Sequence, residues 1–136
     1  MKPQLIALAA VLGLAACGTV PASETGFTQV EVNAAYRERI ALPAGHTLIV
    51  KVEDVSLADA PSVTLAQTNV PLDGRAPPFR VMLQVPTSAV QPNHTYAASA
   101  EIRDSAGKLR FITDTHHGVL TQGQPNAATI VMTGVQ

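Results

Sequence analysis

Four histidines in this 136-residue sequence have the side chain that most often binds metals. Adjacent residues of a strand point to opposite faces, so His116 and His117 would share one ion only if the chain turned between them. No cysteine or carboxylate stands at a spacing typical of zinc ligands. We therefore predict no metal site and no cofactor, and we expect all four to lie in exposed loops: His46, His94, His116 and His117.

Two further sets of side chains have the types needed for hydrolysis. Asp114 with His116 or His117 and a nearby hydroxyl would resemble a catalytic triad, but no serine lies in a Gly-x-Ser-x-Gly turn. Glycoside hydrolysis needs two carboxylates at a set distance, and the candidate pairs are Asp54 with Asp59, and Glu31 with Glu101. We predict no catalytic residue and keep a small hydrolase as the alternative hypothesis.

The densest cluster of charges follows Tyr36. On a strand, Arg37 and Arg39 would share the face opposite Tyr36 and Glu38. Two guanidinium groups on one face are suited to a carboxylate or phosphate, so Arg37 and Arg39 are the candidate binding residues. The other interpretation, which the pattern favours, is charge that protects an edge strand from pairing with other chains.

The chain has a single cysteine, Cys17, and it follows a short apolar segment. Lys2 supplies a positive charge, and the apolar run at 5–14 is too short to span a bilayer, which needs roughly 20 residues. The letters LAAC at 14–17 resemble the lipobox of bacterial lipoproteins, in which the cysteine thiol receives diacylglycerol. We predict a cleaved signal peptide at 1–16, lipidation of Cys17 and a tether at 17–26.

Lipidation of Cys17 would also set the location of the protein. Each buried methylene contributes about 0.8 kcal/mol, so more than one acyl chain anchors a protein firmly to a membrane. Gly18 rather than aspartate follows the cysteine, a pattern typical of export to the outer membrane. We expect a lipid-anchored protein that faces the periplasm.

Length and charge limit the remaining possibilities. Removal of residues 1–16 leaves 136 − 16 = 120 residues, which fits one domain. The formal charge of the whole chain is −1, and loss of Lys2 makes it −2, so no basic surface indicates a nucleic-acid partner. Tryptophan is absent, which leaves little material for stacking sugars or bases.

Apolar and polar residues alternate with the period of β-strands through most of the mature chain. Pro43 to Gly45 supply turn residues that predict a hairpin between the first two strands. The pattern predicts an all-β fold at 27–136, an antiparallel immunoglobulin-like or prealbumin-like β-sandwich of seven to eight strands. Tyr96 follows a turn at a strand start and resembles the tyrosine corner of such folds. The predicted strands are 30–36 continuing through 40 and 42, 48–52, 62–70, 79–85, 96–102, 109–113 and 127–135.

Several sequence blocks resemble the YbaY/YscW family of bacterial lipoproteins. They are YRERIALPAG at 36–45, VEDVSLADAP at 52–61, PNHTY at 92–96, FITDT at 111–115 and VLT at 119–121. The resemblance covers about residues 28–132. It implies a β-sandwich lipoprotein of Gram-negative bacteria. One branch of the family resembles the pilotins of type III secretion, which bind a secretin subunit, and the other consists of uncharacterised housekeeping lipoproteins, which this chain resembles more.

The leading hypothesis is a non-enzymatic outer-membrane lipoprotein that binds an envelope protein, such as a secretin-like subunit, as a pilotin does. A sheet with an accessible edge binds an extended segment by adding it as a strand. The alternatives are the small hydrolase named above and a structural lipoprotein of the cell envelope without a specific ligand.

Overall fold

Eight β-strands form the part of the chain that the structure, a computed structural model, describes, which is residues 26–136. The predicted signal peptide and Cys17 lie outside the described residues. A 3₁₀ turn at Thr87–Ala89 is the only helical segment between residues 26 and 136, and that part of the chain has no helix long and apolar enough to cross a membrane. The strands are β1 (Phe27–Tyr36), β2 (Thr47–Asp54), β3 (Val63–Pro71), β4 (Phe79–Pro86), β5 (Tyr96–Arg103), β6 (Leu109–Ile112), β7 (Gly118–Val119) and β8 (Ala127–Gly134).

The strands form one strongly curved sheet in the order β3-β2-β5-β6-β8-β1-β4, with β7 paired to β5. The two outermost strands, β3 and β4, contact each other, so the sheet is a nearly closed barrel. The prediction of an all-β fold is confirmed. The sheet is mixed rather than purely antiparallel, because β1 and β8 run parallel.

The predicted hairpin between the first two strands is wrong. β1 pairs with β4 and β8, whereas β2 pairs with β3 and β5. The turn at Pro43 to Gly45 is present, with Gly45 at a φ of 100°, but it connects strands on opposite sides of the core. A turn signal shows where the chain changes direction and does not show which strand becomes the neighbour.

Alternate side chains of each long strand fill the interior, as the period of two requires. β1 contributes Val30, Val32 and Ala34, and facing strands contribute residues such as Leu48 and Ile130, all without exposed surface. Complete burial of one Val, Leu or Ile side chain contributes about 1.5–3 kcal/mol. β5 places Ala98 and Ala100 inward, and these small side chains leave room for larger neighbours across the core.

β1 ends at Tyr36, earlier than its alternating pattern predicts. The Tyr36 hydroxyl donates to the carbonyl oxygen of Ile40 at 3.0 Å, and its ring stacks on Phe111 with centroids 4.6 Å apart. The hydrogen bond closes a turn that takes the chain out of the sheet. Arg37 and Arg39 therefore lie in an exposed connection, whereas the sequence pattern predicts them on one face of a strand.

Tyr96 forms the predicted tyrosine corner. The side chain is buried, and its hydroxyl accepts a hydrogen bond from the backbone N–H of Gln91 at 2.8 Å and donates to the carbonyl of Ala89 at 3.3 Å. One hydroxyl thus satisfies two backbone groups in the connection that enters β5.

Replacement of Tyr96 by phenylalanine leaves both backbone groups without that partner. We expect Tyr96→Phe to lower the free energy of unfolding by about 1–3 kcal/mol, because it removes two hydrogen bonds that contribute about 0.5–1.5 kcal/mol each. Tyr36→Phe, which removes one bond, is the matched control, with an expected loss of about 0.5–1.5 kcal/mol. Urea unfolding measures both, and a Tyr96→Phe variant as stable as wild type would contradict the prediction.

Candidate functional site

A cleft of about 430 Å³ opens in the side of the barrel, next to β8. Its walls come from the connection after β1, from the segment between β6 and β7, and from β8 itself. The residues that line it are Arg37, Glu38, Asp114, Thr115, His117, Thr129, Val131, Met132 and Thr133. The lining combines charged side chains of both signs with apolar surface.

The floor of the cleft is a strand edge that is only partly paired. Residues 127–132 of β8 pair with β1 on one side. On the other side, the pairing with β6 covers only Thr133 and Gly134. Within residues 26–136, no strand pairs with this second edge of β8 before Thr133.

The hydrogen bonds at either end of β8 show which backbone groups face the cleft. The carbonyl of Asn126 accepts from β1, whereas the N–H of Val135 donates to the β6 side. Backbone groups of successive strand residues point to alternate edges, so Thr129 and Val131 share the direction of Val135. Their N–H and C=O groups therefore point away from β1, toward the cleft. The side chains of both residues are exposed.

The opposite wall is a chain segment that leaves the sheet and returns to it. At its start, the Thr113 hydroxyl accepts from the N–H of Ala100 at 2.7 Å and donates to its carbonyl at 2.8 Å. At its end, the carbonyl of His117 accepts from the N–H of Ala98 at 2.9 Å. Thr133 of β8 donates to Asp114 at 2.8 Å across the cleft. These bonds hold the wall at a defined position.

The structure separates the two candidate binding residues. Arg37 lines the cleft together with Glu38, Asp114 and His117, whereas Arg39 lies outside the lining. Arg37 is therefore positioned to meet a group that enters the cleft. The two guanidinium groups do not form the shared surface that a strand would have given them.

The histidines lie in different environments, and the expectation that all four are exposed is wrong. His46 is buried, with Nδ1 2.9 Å from the carbonyl oxygen of Pro43, and His94 is partly buried. His116 is exposed, and His117 has Nε2 2.9 Å from the Thr115 hydroxyl. Between residues 26 and 136, no three His, Cys, Asp or Glu side chains come together in a way that could hold a metal ion.

Two of the four carboxylates considered for glycoside hydrolysis are engaged in ion pairs with arginine. Glu31 binds Arg80 at 2.6 Å, and Glu101 binds Arg103 at 3.0 Å. Arg80 and a second hydrogen bond, from Asn33, lower the pKa of Glu31. A carboxylate held in its charged form by a guanidinium group is a poor general acid.

The structure brings together Asp54, Ser56 and His94, a cluster that the sequence pattern does not predict and whose residue types match those of a triad. The Ser56 hydroxyl and backbone N–H both donate to one carboxylate oxygen of Asp54, and His94 Nδ1 lies 2.6 Å from the other. An ionised carboxylate only accepts hydrogen bonds, so Nδ1 carries a proton. The carboxylate lies between the hydroxyl and the imidazole, so the histidine is not placed to activate the serine.

The cluster instead joins two connections at one end of the barrel. Ser56 belongs to the connection between β2 and β3, and its hydroxyl oxygen also accepts from the N–H of Thr95 at 2.9 Å, just before β5. Hydrogen bonds, first from the Ser56 hydroxyl and then from His94, lower the pKa of Asp54 to about 2. The Asp-x-Ser spacing is a detectable turn signal, but nothing local marks His94, which is 40 residues away.

Comparisons with known proteins agree on one group of relatives. A family model described as type III secretion system lipoprotein chaperone (YscW) matches residues 26–132. The uncharacterized lipoprotein YbaY of Escherichia coli K12 is 44% identical over 91 residues, which cover 67% of this chain and 47% of that protein. The chain thus matches about half the length of this curated relative.

A solved structure matches the fold as well as the sequence. It is an alternative pilotin from the type II secretion system of Vibrio cholerae, with a TM-score of 0.77 and 39% sequence identity. The match covers 81% of this chain and 98% of the pilotin chain.

The Asp54 cluster predicts an acid-dependent contribution to stability. The folded-state pKa, about 2, lies below the ordinary value of 3.8, so in this window the unfolded chain binds more protons than the folded one. The contribution is complete above pH 3.8 and is lost as the pH falls toward 2. We expect Asp54→Asn to flatten the fall in unfolding free energy across this window.

Ser56→Ala provides an intermediate case, because it removes the largest cause of the lowered pKa. NMR titration of the Asp54 carboxyl should then give a pKa closer to 3.8. Ser88→Ala, at an exposed serine of the 3₁₀ turn, is the matched control and should leave the titration unchanged. If the Asp54 carboxyl of the wild-type protein titrates at its ordinary value, the result contradicts the hydrogen bonds from Ser56 and His94 as the cause of a lowered pKa.

Proposed function

This chain belongs to the YscW family of type III secretion system lipoprotein chaperones, and from that premise we propose that it is a non-enzymatic, pilotin-like lipoprotein. In this proposal it binds an extended segment of a secretin-like envelope protein and assists its assembly. The structural similarity to a type II secretion pilotin supports this role. The observation that carries the proposal is the unpaired edge of β8 in the floor of the cleft.

A segment that enters the cleft meets an incomplete sheet. The outward N–H and C=O groups of Thr129 and Val131 offer hydrogen bonds to an added strand, each contributing about 0.5–1.5 kcal/mol net. Main-chain bonds of this kind supply affinity without sequence preference, and side-chain contacts supply specificity. Because β6 pairs with β8 from Thr133 onward, the added segment would continue the position of β6 along the same edge.

The side chains of the lining define what the segment carries. Arg37 offers a guanidinium group that binds a carboxylate in a two-bond geometry. Val131 offers apolar surface, and it is 37% exposed. The Asp114 carboxylate is held by Thr133, which keeps it directed across the cleft. A segment that places a carboxylate at Arg37, away from Glu38 and Asp114, and an apolar side chain at Val131 fits this arrangement.

The anchor in this proposal is the acylated Cys17, which holds the protein to the outer membrane with the barrel in the periplasm. Its supports are the lipobox-like letters LAAC at 14–17 and the lipoprotein description of both the matched family and the relative from Escherichia coli. The partner and the protein would then be concentrated at the same membrane, which favours their encounter.

Site-specific photo-crosslinking tests where the partner binds. A photoreactive amino acid at Thr129 should crosslink an outer-membrane protein of secretin type in intact envelopes, identified by mass. The same amino acid at Gln84, an exposed position on β4, is the matched control and should give no such product. Equal crosslinking from both positions, or a product from Gln84 alone, would contradict binding in the cleft.

Proline at Val131 tests the strand-addition mechanism. Val131→Pro removes an N–H that points away from β1, a position at which an edge strand accepts proline, and its ring also obstructs the added segment. We expect capture of the crosslinked partner to fall roughly tenfold or more, whereas Val131→Ala should retain it. Circular dichroism monitors the fold, and full capture by a folded Val131→Pro protein excludes strand addition.

Cys17→Ser separates anchoring from binding. The variant cannot be acylated, so it should leave the membrane fraction, and its partner should be lost or mislocalised with it. The purified variant should still bind the partner, because the cleft lies within residues 37–133. Fractionation followed by mass analysis measures both effects, and a variant that stays in the outer membrane contradicts the proposed anchor.

A further inference from the structure

One end of the barrel, which we name the tether end, gathers the start of β1 and the connections closest to it. It comprises residues 26–28, 54–63, 86–96 and 118–127. Strands β1, β3, β5 and β8 begin at this end, and β2, β4 and β7 finish there, as the strand directions require. The N-terminal segment enters the described structure here, at Gly26.

Three large apolar side chains are exposed at the tether end. Leu57 is 72% exposed, Val63 is 65% exposed and Phe27 is 59% exposed. Leu57, Pro61 and Val63 form the apolar side of a hollow of about 230 Å³, and the Asp54 cluster forms its other side. Leu57 and Val63 share this hollow, and Phe27 lies at the same end of the barrel. Exposed apolar side chains that gather in this way indicate a surface that binds something apolar.

The connections that carry these side chains are bound to one another. The carbonyl of Gly26 accepts from the N–H of Thr87 at 3.0 Å, and the Thr121 hydroxyl donates to the carbonyl of His94 at 2.6 Å. The Asp54 cluster ties the connection that carries Leu57 to the same group. These bonds fix the connections of the tether end relative to one another, so its apolar side chains have defined positions.

Charge is distributed unequally between the two ends. The tether end contains no lysine or arginine and two aspartates, Asp54 and Asp59, which gives a formal charge of −2. The opposite end, at 36–47, 71–79, 103–109 and 134–136, has five basic and three acidic residues, which gives 5 − 3 = +2. Its charged residues are Arg37, Arg39, Arg75, Arg103, Lys108, Glu38, Asp73 and Asp104.

The length of chain before the structure restricts how an anchored protein sits on a membrane. Cys17 precedes Gly26 by 26 − 17 = 9 positions, and nine residues span at most about 30 Å. Strands of eight to ten residues are themselves roughly 26–33 Å long. An anchor on Cys17 thus holds the tether end close to the bilayer. The opposite end could face the bilayer only if the tether were extended along the whole length of the barrel.

We propose that the tether end docks on the lipid surface, with Phe27, Leu57 and Val63 in the boundary between headgroups and acyl chains. This orientation rests on the proposed anchoring through Cys17. The docking is apolar, since no basic side chain at this end attracts anionic lipid. Arg37 lies at the opposite end, far from the docked surface, so the Arg37 side of the cleft remains open to a partner from the periplasm.

Single tryptophans can test this orientation, because the natural sequence has none. Leu57→Trp and Phe27→Trp report on the tether end, and Ile40→Trp, at a position 50% exposed, reports on the opposite end. Met82→Trp, on β4, and Ile112→Trp, on β6, report on the side of the barrel between its two ends. The lone cysteine allows the mature chain to be coupled through Cys17 to maleimide lipid in phosphatidylcholine vesicles, so the test does not depend on acylation in the cell.

We expect the tether-end tryptophans to shift their emission to the blue and to lose fluorescence when the vesicles contain brominated phosphatidylcholine. The other three should emit as they do without lipid. Quenching of Met82→Trp, Ile112→Trp or Ile40→Trp overturns the proposal. An absence of quenching at both tether-end positions overturns it as well. A blue shift that grows with protein concentration, without quenching by brominated phosphatidylcholine, identifies a second copy of the protein as the occupant of this surface. That result also overturns the proposal.

A separate measurement distinguishes failure of the anchor from failure of the docking surface. Mass analysis of the protein extracted from envelopes shows whether Cys17 carries acyl chains. An unmodified Cys17 with quenched Leu57→Trp in coupled vesicles refutes the anchor and retains the docking surface. An acylated Cys17 without quenching refutes the docking surface alone.

Discussion

The parallel pairing of β1 with β8 is the constraint on which the rest of the structure depends. It joins the first and last strands of the described chain, over residues 31–36 and 127–132, and so brings the two halves of the sheet around one core. It also occupies only one edge of β8. Because β6 is short and meets the other edge only at Thr133 and Gly134, the rest of that edge stays unpaired in the described part of the chain and forms the floor of the cleft.

The sequence pattern predicts the strands well and their neighbours poorly. Alternation identifies the buried faces of β1, β4 and β5, and the turn before Tyr96 indicates its buried hydroxyl, because both signals are local. The pairing of β1 with β8 joins residues almost 100 positions apart, and no local pattern encodes it. The early end of β1 depends on a hydrogen bond from Tyr36, which alternation alone does not register.

The candidate site shows the same limit. Arg37 was identified from its charge, and the structure places it in the cleft lining, but Thr129 and Val131 have ordinary strand residue types. They matter because no strand between residues 26 and 136 pairs with their edge of β8. That property depends on the strand order, which residue types do not indicate. The Asp54 cluster shows the converse, because residue types that suggest catalysis are arranged around a central carboxylate and serve to join two connections. Family membership and cleft geometry support binding as the function.

Thr113 reinforces a main-chain bond with its side chain. Its backbone N–H donates to the carbonyl of Ala100 at 2.9 Å, and its hydroxyl both accepts from the N–H of Ala100 and donates to the same carbonyl. Residues 114–116 leave the sheet directly after these bonds. The chain is bonded to β5 again at His117, whose carbonyl accepts from the N–H of Ala98. The exposed Thr115 side chain lies between these two bonded points and lines the cleft. An exchange at this position therefore changes the shape of one cleft wall, while the backbone bonds of Thr113 and His117 stay in place.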